Sequence, residues 1–74
     1  MSEEKIREIA NAANLVVDGY AMLQDGARVK VVHLYTGRVV VVDEAQGVVE
    51  SSMDEIEEVL ALRCLAENRQ FLAA

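Results

Sequence analysis

The 74-residue chain is 53% hydrophobic and 27% charged with no proline; that is too short for two independent cores, and it predicts one α+β domain over residues 1–74. Thirteen acids against seven bases give a net charge of −6, which argues against nucleic-acid binding, because that affinity comes from neutralising phosphates. Cys64 and His33 are each the only residue of their kind, which excludes an internal disulfide and the Cys- or His-rich zinc sites.

The first predicted element is an amphipathic helix from Glu3 to about Ala13. Ser2 is placed to cap it, and Glu3 and Glu4 sit where the helix dipole favours negative charge. Ile6, Ile9, Ala10 and Ala13 follow the spacing of one buried stripe. Glu3 and Arg7 are spaced to pair on the wet side, and Asn14 is expected to end the helix in a left-handed cap, with Leu15 folded back over the last turn. A valine-rich antiparallel meander of three to four strands comes next. Asp25-Gly26 is a hairpin signal joining Tyr20–Gln24 to Ala27–Tyr35, since both residues tolerate positive φ. Thr36-Gly37 is the next expected reversal, leading into Arg38–Asp43. A loop at Glu44-Ala45-Gln46-Gly47 then precedes a short strand at Val48–Glu50. The last helix is expected from Ser51 or Ser52, where Ser52-Met53-Asp54-Glu55 has the capping-box pattern, to about Phe71.

A two-residue turn at Thr36-Gly37 sets Leu34 opposite Val39 and Lys30 opposite Asp43, an opposite-charge match. Tyr20, Met22, Val29, Val31, Val40, Val42 and Val49 then share one face, predicted to be the core beneath both helices. The other face is not polar. Val32, Leu34, Val39 and Val41 cluster at its centre with Leu23 nearby, whereas a sheet with one wet side alternates cleanly. Three arrangements would account for this. The helices divide between the faces, the sheet curls towards a small barrel, or a second subunit covers the face.

The last helix also carries surplus apolar surface. Met53, Ile56, Leu60, Cys64 and Phe71 are predicted to form its core stripe, beside Val59 and Ala66. Leu62, Leu65 and Leu72 point nearly opposite. A helix apolar on two sides is either deeply buried or shared between surfaces. A homodimer is therefore expected, through Val32, Leu34, Val39 and Val41 or through Leu62, Leu65 and Leu72.

Candidate chemistry is sparse. Cys64 and His33 are the only nucleophile–base pair, yet Cys64 falls on an apolar stripe, where it acts as a small hydrophobe. His33 reads as a hydrogen-bonded histidine at the end of the sheet. Asp54, Glu57 and Glu58 have spacings that suit a hard metal, but no EF-hand loop is present and a helix start explains them better. Arg63 and Glu67 are four apart, as an edge salt bridge or as a polar specifier at a subunit contact. The glycines are isolated, so no phosphate loop is formed, and the basic patch of Arg28, Lys30 and Arg38 lacks stacking aromatics.

No catalytic, cofactor-binding or metal-binding residue is therefore assigned. The sequence is read as a non-catalytic interaction module that self-associates. The alternative is an acidic inhibitor or adaptor whose Asp54, Glu55, Glu57 and Glu58 surface engages a basic protein or mimics nucleic acid. Val39 to Leu62 holds no Lys or Arg but seven acids. An enzyme using Cys64 and His33 is the least favoured reading. The opening MSEEKIREIA has early acids and no long apolar run, and no stretch approaches the roughly 18 apolar residues of a membrane span. With a single cysteine, a cytoplasmic location is expected.

Overall fold

The computed structural model describes residues 2–73, with the side chains of residues 72 and 73 outside that description. Helix α1 spans Glu3–Ala12. Strands β1 (Leu15–Val17), β2 (Tyr20–Asp25), β3 (Arg28–His33), β4 (Val39–Asp43) and β5 (Gly47–Ser51) follow, and α2 (Glu55–Glu67) and the short α3 (Gln70–Ala73) close the chain. The strands lie side by side in chain order as one open antiparallel sheet. The fold is α+β with five strands, and the sheet does not curl into a barrel. No described helix is long and apolar enough to cross a membrane.

Ser2 caps α1 by accepting from the Lys5 amide at 3.2 Å, which satisfies a donor that has no partner inside the helix. The exit differs from the expected left-handed cap. Asn14 keeps an ordinary φ, and its Oδ1 accepts from the Gln24 amide at 2.7 Å while its own amide donates to the Met22 carbonyl at 3.0 Å. These bonds tie the end of α1 to β2 and start β1 at Leu15, so Leu15 is a strand residue and not part of a helix cap. The reversal from β1 to β2 is Asp18-Gly19, with φ of 50° and 82°, the paired positive values of a tight hairpin turn. That strand was not expected from the sequence.

Two further turns differ from expectation, each by a shift of two in register. The β2–β3 reversal centres on Gly26-Ala27, which sets Asp25 opposite Arg28 and Met22 opposite Val31. Between β3 and β4 the loop is Leu34–Gly37, not Thr36-Gly37 alone. Val32 lies opposite Val39, and Asp43 opposite Arg28 in place of Lys30. His33 donates its amide to the Arg38 carbonyl and accepts from the Gly37 amide, closing the wider loop. Arg28 and Asp43 then form the salt bridge, at 3.2 Å. Because side chains alternate with a period of two, a shift of two leaves every residue on its expected face.

Both faces of the sheet are covered, one helix to each, which is the first of the three expected arrangements and corrects the placement of both helices over one face. Beneath α2 lie Tyr20, Met22, Val29, Val31, Val40 and Val42, packed with Met53, Ala61, Cys64 and Leu65. Beneath α1 lie Ala21, Val32 and Leu34, with Ile6, Ile9, Ala13, Leu23 and Val39 around them. Val49 does not join the first core. A bulge between Val41 and Val42 leaves it without a partner in the ladder, and it is exposed.

Helix α2 starts later than expected because Ser52 is engaged elsewhere. Its hydroxyl accepts from the Val39 amide at 2.9 Å, which fastens the end of β5 to β4. Asp54 is the N-cap instead, and a capping box joins it to Glu57. The helix stops at Asn68, whose side-chain amide donates to the Cys64 carbonyl at 2.8 Å. That break turns the chain into α3 and brings Phe71 against the core.

Candidate functional site

Polar side chains converge where the β3–β4 loop meets the start of α2. Arg38 Nη1 donates to Glu57 Oε1 at 3.0 Å, and the Thr36 hydroxyl donates to Glu57 Oε2 at 3.0 Å. His33 Nδ1 lies 2.9 Å from Thr36 Oγ1. A hydroxyl has one proton, and an ionised carboxylate only accepts. With that proton on Glu57, the Thr36 oxygen must accept, so His33 carries its proton on Nδ1. The His33 ring also packs at a tilt against Tyr20, with centroids 4.9 Å apart. Burial pushes the Tyr20 hydroxyl above its usual pKa, and the negative charge of nearby Cys64, Glu57 and Asp54 adds to the shift. Every member has a partner, and the cluster holds the loop to the helix.

This network accounts for most of the acidic surface predicted from the sequence. Asp54 is the helix cap, Glu57 is the acceptor just described, and Glu58 accepts from the Ser51 hydroxyl at 2.7 Å. Only Glu55 has no such bond and is exposed. Hydrogen bonding explains Asp54 further. The Glu57 amide is the largest of the contacts holding its carboxyl below the ordinary range. Among the described residues no group of three or more His, Cys, Asp or Glu is placed to hold a metal ion.

The nucleophile–base pair is not assembled. Cys64 is buried in the core beneath α2, and burial is the main reason its thiol is raised above its usual pKa, with the charges of Asp18 and Glu67 contributing. No hydrogen bond links it to His33 among the described residues, and His33 is committed to Thr36.

The residues expected to contact a second subunit fall in different places. Val32 is 4% exposed and Leu34 9%, both covered by α1, and Leu65 is 3% exposed under α2. Leu62 is partly buried against the same core. Val39 is half-buried and lines a groove beside α1, and Val41 is half-buried and lines a second groove over β2 and β3. The Leu72 side chain lies outside the described residues. Arg63 and Glu67 are both exposed, and neither forms an ion pair among the described residues.

Among the described residues Val16, Tyr35, Val48 and Val49 are exposed on the sheet and its loops, and the outward face of α2 groups three more large apolar side chains on one helix. Ile56 is 73% exposed, Val59 52% and Leu60 42%, and with Glu55 they line a shallow concavity. The predicted core stripe is therefore right at Met53, Cys64 and Phe71 and wrong at Ile56 and Leu60. Ala61, Cys64 and Leu65 point to the sheet, while Ile56 and Leu60 point away from it. The error came from Met53. It lies buried in the core but precedes the helix, so it cannot set the helical phase. The inward trio at i, i+3 and i+4, with small Ala61 at the point of closest approach, was the sequence signal that could have set it.

Comparison with curated proteins and with solved structures finds no match. Residues 3–72 match a family described as a family of unknown function, DUF7723, and the chain belongs to that family.

Proposed function

We propose that the chain is a non-catalytic interaction module that associates with a second copy of itself through the outward face of α2. The carrying observation is the exposed ridge of Ile56, Val59 and Leu60 on a helix whose opposite side already forms the core. A helix that only covers a sheet keeps charged and polar residues on its outer side. Burying such side chains fully is worth about 1.5–3 kcal/mol each, and two-fold symmetry doubles the set. Against an association cost of about 4 kcal/mol or more, this supports a weak to moderate dimer. The second sheet face needs no partner, since α1 covers it. The β5 edge is a poorer contact, because a bulge interrupts its ladder and Glu50 lies on it.

The non-catalytic part of the reading is supported by the buried Cys64, whose raised pKa disfavours the thiolate, and by the internal commitments of His33 and Glu57. A free buried thiol also supports a reducing, cytoplasmic location. The test is molar mass by light scattering across a concentration series. Wild type is expected to approach twice 8.1 kDa, and Ile56→Glu to remain monomeric with an unchanged circular dichroism spectrum. A wild-type monomer up to about 1 mM, a concentration at which even weak specific dimers populate, would refute the proposal.

A further inference from the structure

The arrangement of charge along the same ridge says how two copies would meet, an inference that rests on the self-association just proposed. Ile56, Val59, Leu60 and Arg63 stand at i, i+3, i+4 and i+7 and so share one stripe. Glu55 sits at the start of this exposed surface and Arg63 at its far end, and neither has an ion-pair partner within the chain among the described residues. Eight residues of helix separate them by about 12 Å. The start of the helix is acidic, with Asp54 and Glu58 beside Glu55, and its first basic residue is Arg63.

We infer that two copies join with their α2 helices antiparallel about a two-fold axis between Val59 and Leu60, so that Arg63 of each meets Glu55 of the other. Val59 then packs on Leu60 of the second copy. Ile56 lies on the aliphatic stem of the second copy's Arg63, whose guanidinium extends to Glu55. The helix dipoles oppose each other, and the acidic start of one helix lies beside Arg63, the single base of the other. Parallel pairing would instead set Arg63 against Arg63 and Glu55 against Glu55, which costs binding energy. Glu67, the remaining exposed charge on this side, falls past the start of the second copy's helix.

Two measurements test the geometry. Arg63→Glu and Glu55→Lys should each weaken dimerisation about tenfold or more, and the chain carrying both should return to within a few-fold of wild type. Disulfide trapping gives the second readout, with buried Cys64 left in place and bridges assigned by peptide mapping. Ile56→Cys mixed with Arg63→Cys should give a 56–63 bridge between chains. Ile56→Cys alone should not bridge, because antiparallel packing sets the two copies of residue 56 about 10 Å apart. A wild-type dimer whose Ile56→Cys variant bridges to itself, or whose double charge reversal stays as weak as the single variants, would overturn the antiparallel geometry and leave self-association standing. A wild-type monomer would overturn both.

Discussion

Arg38 Nη1 and Glu57 Oε1 are 3.0 Å apart, and this contact fixes the β3–β4 loop to the first turn of α2. Glu57 also accepts from Thr36 and completes the capping box with Asp54, while its side chain is only 14% exposed. Its removal leaves the Asp54 amide and the Thr36 hydroxyl without their acceptor and takes from Arg38 the shorter of its two carboxylate contacts. Glu57→Ala is therefore expected to cost about 2–3 kcal/mol in urea denaturation. Glu58→Ala loses one hydrogen bond to Ser51 and is expected to cost about 1 kcal/mol or less. Equal costs would show that the Glu57 network adds nothing beyond a single bond.

Asp43 predicts how stability responds to acid. Its Oδ1 accepts from the amides of Ala45 and Gln46 at 2.9 and 3.1 Å, and Arg28 bonds its other oxygen. The two amides, first, and Arg28 after them hold this carboxyl below the ordinary range. The folded pKa is lower than the unfolded value of about 3.9. The contribution is therefore complete above that value and is lost as pH falls through the folded pKa. Wild type should lose stability as pH falls below about 4. Asp43→Asn keeps the acceptor oxygen for the turn and should show a shallower fall over that window, measured as the urea midpoint against pH. The decline should not vanish, because Asp54 is shifted in the same direction.

The helix–meander–helix order and the faces of β2, β3 and β4 were legible in the sequence, because they depend on periodicity, whereas β1 and the bulge that exposes Val49 were not. The pairing partners depend on turn geometry, which short-range chemistry specifies less tightly. Leu34 donates its amide to the Gly19 carbonyl, and Tyr35 covers Gly19, approaching to 3.4 Å the place its Cβ would occupy. Both contacts belong to a loop packed against a distant turn, and no local dipeptide encodes them. The outward face of α2 was misread for a related reason. Apolar residues occur on both sides of that helix, so composition alone does not choose the inward side, and the phase is set by the cap at Asp54. Of the expected acidic site, the positions were legible but their use was not, since Arg38 and Thr36 approach Glu57 only in the folded chain.

The two sides of this small protein should differ sharply in mutational cost. Met22 is fully buried between β1 and β3, opposite Leu15 and Val31. Met22→Ala opens a cavity and is expected to cost about 2–5 kcal/mol, most of what a core of this size supplies. Ile56→Ala removes a side chain that is mostly in water, so the monomer should change by about 0.5 kcal/mol or less. The comparison is made by denaturation at concentrations below the dimerisation constant, where self-association does not contribute. A large cost at Ile56 under those conditions would mean that the helix is seated with a different face on the sheet.

Cys64 reports on the same seating from the inside. It lies in the core with Ala61 and Leu65, and burial raises its thiol pKa, with Asp18 and Glu67 adding to the shift and Arg63 partly offsetting it. The thiolate is the reactive form, so both low access and low ionisation slow alkylation. Reaction with iodoacetamide near pH 8 is expected to be about tenfold or more slower than for free cysteine, and to reach the free rate in denaturant. The midpoint of its pH–rate profile should lie above the roughly 8.5 of an unperturbed thiol. Alkylation as fast as free cysteine in the folded protein would place the thiol at the surface, with α2 turned so that Ile56 and Leu60 face the sheet. The ridge proposed for self-association would then be interior, so this one rate tests the premise on which the dimer rests.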